Sequence, residues 1–131
     1  MRVTKVTTSL IVLGAFALLL GGIYFFHTPT PPQKTLLESP AGFAFEIANT
    51  PELRVLGLSG RSDVPESYGM LFTFDFDVTP SFWMKDMLVP IDILWISSEG
   101  EIIGFETAVE PSTFPEKFYP PSPIRYVLET R

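Results

Sequence analysis

The chain has no cysteine and a single histidine, His27. The first absence excludes disulfides, thiolate metal sites, a cysteine nucleophile and a lipid-modified N-terminal cysteine. The second excludes a Ser-His-Asp relay in the core and leaves too few side chains for a zinc site of the usual kind. Positive charge is also scarce. From His27 onward seven Lys and Arg stand against fifteen Asp and Glu, a net of −8, which argues against nucleic acid as a partner because such binding depends on neutralising phosphates. The sequence holds no nucleophile elbow, no HExxH pair and no Gly-rich phosphate loop, and no internal repeat. No metal or cofactor is expected from it.

What is present divides the chain into four parts. Residues 1–9 carry Arg2 and Lys5 and no acid, and residues 10–26 form an unbroken apolar run. Seventeen residues of helix span about 25 Å, slightly under the hydrocarbon thickness of a bilayer. A bulky exit, Ile23-Tyr24-Phe25-Phe26, lacks the small residues of a cleavage site, so an uncleaved signal anchor is expected, basic end in the cytoplasm, with a cleaved and secreted form as the alternative. Residues 27–40 hold four prolines and read as an extended spacer. Residues 41–131 then have the length for one domain, and twelve Phe in the whole chain supply aromatic bulk for its core.

Within that domain, GFAFEIAN from Gly42 alternates Phe43, Phe45 and Ile47 with Ala44 and Glu46, a half-buried strand. Thr50 as N-cap, Pro51 at the first helical position and Gly57 or Gly60 beyond the end predict a short helix over residues 51–58, with Leu53, Leu56 and Val55 toward the sheet and Arg54 outward. GMLFTFDFD puts Met70, Phe72, Phe74 and Phe76 on one face of a strand. Asp75 and Asp77, on the other face, lack the sequel of a calcium loop and read as solvated. SFWMKDMLVPIDILWIS, residues 81–97, reads as two central strands, at residues 82–84 and 91–96. A turn at Ser98-Glu99-Gly100 leads to a strand with a bulge at Gly104. Five prolines confine residues 110–123 to a surface loop, and residues 124–129 form a last strand.

The stretches FEIANTPELRVLGLSGR, GMLFTFD, FWMKDMLVPIDILWIS and RYVLE together resemble the family known as domain of unknown function 192. The resemblance spans about Gly42 to Glu129. It implies a mainly β fold, a compact β-sandwich or small barrel with one short α-helix, and no established activity. Two departures stand out. Asp86-Met87 occupies the place of the family's Asn-Thr, and the helical turn and closing strand that the family has after the RYVLE strand are not met before Arg131, so an open edge able to recruit a partner or to destabilise the domain is expected there.

If residues 87–90 make a hairpin loop, Lys85 faces Asp92 and Trp83 faces Leu94. The simplest reading of that pair is an ion pair that makes two charges tolerable in an apolar sheet. The functional reading places Lys85, Trp83 and Arg61 at the mouth of a site for an anionic or carbonyl-bearing ligand, with Asp92 beside them. Three function classes follow: a small-ligand or partner-binding module tethered to the membrane, a structural or interaction domain of an envelope assembly, and a hydrolytic enzyme using Lys85 and Asp92.

Overall fold

The computed structural model describes residues 35–38 and 41–131. The anchor expected at residues 10–26 and most of the spacer lie outside the described residues, among which no helix is long and apolar enough to cross a membrane. Among the described residues six strands and one α-helix follow in the order β1 (Thr35–Glu38), β2 (Ala44–Ala48), α1 (Pro51–Leu56), β3 (Tyr68–Val78), β4 (Ile91–Ile96), β5 (Ile102–Val109) and β6 (Ile124–Thr130), with a 3₁₀ turn at Pro111–Thr113. They join in one sheet of order β1-β2-β3-β6-β4-β5. Only β2 and β3 run parallel. A mainly β fold with one short helix is thus present, its strands joined in one hydrogen-bonded sheet with β1 and β5 at the ends of the order. The parallel β2–β3 pair requires a crossover connection, and α1 lies within it.

Local chemistry sets the helix. The Thr50 hydroxyl accepts from the Leu53 N–H at 3.3 Å, and Gly57, at φ +51, stops the helix after Leu56. The earlier stop redistributes the expected faces. Leu53 and Leu58 are buried, whereas Val55 is 85% exposed and Leu56 is exposed as well. Arg54 is not outward, since its guanidinium donates to the Thr73 carbonyl at 2.7 Å and lies over Phe74. The face of β2 is inverted too: Glu46 and Ala48 are buried and Phe45 and Ile47 only half-buried. Small Ala48 suits the helix packed against β2, and Glu46 is tolerated because it is bonded.

The core centres on Phe72, Phe82 and Trp95, packed edge to face at centroid distances of 4.9 and 5.5 Å. Burying each such ring contributes about 2–3 kcal/mol. Residues 91–96 are central as expected, but their neighbours are β5 and β6. Residues 82–84 form no strand. They are joined to the Pro-rich loop by one bridge, Phe82 to Phe118, because both edges of β4 are already occupied. The final strand is interior, flanked by β3 and β4, so the expected open edge there is corrected. The bulge beside Gly104 is present: Trp95 pairs with Gly104 and Ile96 with Ile102. A larger irregularity takes β3 away from β6 between Thr73 and Val78. It leaves Phe76 69% exposed and lets Asp77 accept from the Arg125 Nε–H at 2.9 Å.

Candidate functional site

Residues 80–87 form a loop that keeps the alternation of a strand as far as Lys85: Phe82 and Met84 are buried, Trp83 and Lys85 exposed, and Met87 is buried again beyond Asp86. Short bonds fix this loop. The Ser59 hydroxyl donates to the Lys85 carbonyl at 3.1 Å, the Gly60 N–H to the Asp86 carbonyl at 2.8 Å, and the Met87 N–H to the Met84 carbonyl at 3.2 Å. Asp86 turns the chain at φ +57, a conformation that Asn and Asp tolerate better than most residues. That accounts for Asp where the resemblance implies Asn. On the other side, reciprocal Phe82–Phe118 backbone bonds of 3.0 and 2.9 Å bring the Pro-rich loop alongside.

Between this loop, α1 with its exit and the end of β6 lies a cleft of about 680 Å³. Trp83, 45% exposed, forms one wall and packs on Phe114 at 5.6 Å. The Lys85 and Lys117 ammonium groups stand 5.8 and 5.5 Å from the centre of the Trp83 indole ring, within the range of cation–π attraction. Glu129 also lines the cleft, although the residue is buried. Its Oε2 has no hydrogen-bond partner. Burial pushes the carboxyl up to about 8, against the smaller opposing effects of the Leu58 N–H and the Arg61 charge. Burial therefore favours the protonated, uncharged form of this carboxyl at neutral pH. The cleft thus pairs two ammonium groups and an aromatic face at the surface with a neutral, polar group beneath.

Of the four expected site residues, the cleft brings together Trp83 and Lys85. Arg61 does not reach it. Its guanidinium forks onto Glu46, Nη1 to Oε1 at 3.0 Å and Nη2 to Oε2 at 2.9 Å, and the Tyr68 hydroxyl donates to the same carboxylate. The Glu46 bonds hold Arg61 above its ordinary value, and burial followed by the Glu46 bond raises Tyr68. These three side chains tie β2, the helix exit and β3 together. Asp92 does not face Lys85: its Oδ1 accepts from the Ala108 N–H at 2.7 Å on the adjacent strand, and the hairpin register behind the expected pair does not exist. A lysine–aspartate hydrolytic centre is thereby without its geometry. The sequence reading missed Lys117 and Glu129. Lys117 carried no signal in a Pro-rich loop, but Glu129 did: it shares a strand face with Val127 and is a lone acid at the end of an apolar alternation.

The family model described as DUF192, Uncharacterized ACR, matches residues 33–131. A crystal structure from Sinorhizobium meliloti 1021, described as a candidate transcription regulator, is 32% identical with a TM-score of 0.63, over 75% of this chain and 78% of that one. A protein of unknown function from Novosphingobium aromaticivorans DSM 12444 is 21% identical with a TM-score of 0.60, over 80% of this chain and 78% of that one, a likeness of fold. Among curated proteins none matches the chain.

Proposed function

Because the chain belongs to the DUF192 family, which carries no assigned activity, we propose its function from the cleft itself: it is a binding module for a small organic anion with a flat apolar part. The flat part lies against Trp83 and the anionic group between Lys85 and Lys117. The observation that carries this reading is the half-exposed Trp83 ring with two ammonium groups directed at it. Neither lysine forms a salt bridge among the described residues, so both charges are available to a ligand. A compact positive site on an otherwise acidic surface favours small anions over polyanions. For the same reason the Sinorhizobium description is not carried over as DNA binding. The apolar run at residues 10–26 with its basic flank supports a module tethered to the membrane and facing outward.

Isothermal calorimetry with benzoate tests the reading. Benzoate binds the protein, more weakly at high salt, and Trp83→Ala or the Lys85→Ala/Lys117→Ala pair abolishes binding. Benzamide, which lacks the charge, binds less well. Equal heats from benzoate and benzamide, or binding unchanged in Trp83→Ala, would overturn it.

A second reading has its own observation. The edge strand β5 exposes Ile102 (58%) and Phe105 (64%), and an unpaired apolar edge can accept a strand from another protein. Charge substitution at Phe105 that abolishes recovery of an envelope partner, with benzoate binding absent, would favour an interaction domain.

A further inference from the structure

We propose that Glu129 is the recognition group at the floor of this cleft and that it selects anionic ligands whose far end carries a carbonyl oxygen. This rests on the cleft being a binding site for small anions, and goes beyond it by naming the second half of the ligand.

The fold carries a defect at Glu129. A buried polar atom without a partner destabilises the native state, and among the described residues Glu129 Oε2 is the one buried side-chain oxygen or nitrogen so placed. Structural carboxylates in this domain are treated otherwise: Glu46 has Arg61 and Tyr68, Asp77 has Arg125 and Asp92 has a backbone N–H. Glu129 has only the Leu58 N–H against its carboxyl. Glu129 is one of the residues that line the cleft, and its unpartnered oxygen is fully buried beside Gly57. A Cβ added at Gly57 would come to 3.6 Å from Oε2 and 3.5 Å from the Phe72 ring, which is ordinary contact and sets the oxygen next to this glycine of the cleft wall.

The chemistry of the ligand follows from what surrounds the group. With burial holding the proton on the carboxyl through neutral pH, and with the Leu58 N–H serving as a donor to it, the available function is the acid O–H, which needs an acceptor. A cationic ligand would have to pass Lys85 and Lys117. A ligand with a second carboxylate would bring its charge into an apolar floor beside Phe72 and Phe82. An uncharged carbonyl avoids both penalties. Other charged groups around the cleft are Glu52, Arg54 and Asp86, and Arg61 acts on Glu129 from the helix exit while itself bonded to Glu46 and Tyr68.

The test uses the full-length protein in detergent micelles and three probes: benzoate, 4-acetylbenzoate and 4-isopropylbenzoate. The last has the shape of the acetyl compound without its acceptor, so any titration of the surrounding groups affects both alike. At about pH 6.5 the acetyl compound binds about fivefold or more tighter than the isopropyl compound. That preference disappears at about pH 9.5, where the carboxyl has lost its donor proton. In Glu129→Gln, which keeps a donor, the preference persists at both pH values. In Glu129→Leu it is lost at both. The same Leu variant melts several degrees higher than the wild type at neutral pH, as removal of an unused buried polar group requires.

If benzoate binds but the acetyl and isopropyl compounds bind equally at both pH values, the inference falls and the cleft reading stands. A Glu129→Leu variant that melts lower than the wild type with probe preference unchanged would make the side chain a structural cap for Leu58, and also overturns it. If no probe binds the wild type, the cleft reading and the inference fall together.

Discussion

The Asp92 carboxylate accepts the Ala108 backbone N–H at 2.7 Å, across a point where Ile91 pairs with Val109 but Ile93 with Glu106. The extra residue on β5 makes a bulge, and Ala108 occupies it at φ +49, a conformation that costs a residue with a Cβ about 1–2 kcal/mol. A charge-assisted bond to that N–H offsets the cost. Asp92→Ala is therefore expected to lower stability by about 1–3 kcal/mol in urea titration. Lys85→Met stays within about 0.5 kcal/mol of wild type, and the two changes add. Coupling between them well above that error would contradict the structure.

The Glu129 carboxyl predicts an inverted pH dependence. The folded carboxyl keeps its proton up to about 8, whereas the ordinary group releases it near 4.5. Between those values the folded state binds more protons than the unfolded state, so this group's contribution is fully favourable below about 4.5 and is lost as pH rises to about 8. The loss is on the order of 5 kcal/mol. Guanidinium titrations of wild type and Glu129→Leu at about pH 5 and pH 8.5 check it, because the stability advantage of the variant must widen at the higher pH. An advantage that is constant or narrows with pH would contradict the assignment.

Arg61 is expected to be structural. Arg61→Met removes the counter-charge of the buried Glu46, which keeps the Tyr68 hydroxyl, and the Arg61 side chain retains 22% exposure, so the cost is about 2–4 kcal/mol, somewhat below that of breaking a fully buried pair. Arg61→Lys does not restore the loss, because an ammonium cannot fork onto both carboxylate oxygens. Much of it returns in the Glu46→Met/Arg61→Met double variant, read by thermal melting. Benzoate affinity does not change in any variant that remains folded.

Tethering through residues 10–26 predicts that protease added to intact spheroplasts removes the domain and leaves the anchor in the membrane. Complete protection with the membrane sealed would place the domain on the other side.

Some of this molecule was legible in one dimension. Thr50, Pro51 and Gly57 act on their own neighbours, so the helix could be placed from sequence to within two residues at its end. The strands at residues 91–96 and 124–129, and the bulge beside Gly104, follow from local alternation and turn chemistry in the same way. Family membership could also be read from the FWMK stretch and its companions. What could not be read was strand order, because a strand's pattern states that it has neighbours but not which ones. The sequence therefore suggested pairing residues 82–84 with β4 and Lys85 with Asp92. The fold instead gave the edges of β4 to β5 and β6 and made residues 82–84 a loop. The cleft depends on that choice. Trp83 and Lys85 meet Lys117 only because the Phe82–Phe118 bridge joins two loops, and Glu129 lies beneath them only because β6 is interior. Side-chain identity is written in the chain, whereas the coincidence of distant side chains is a product of long-range packing, and only the tertiary structure decided it.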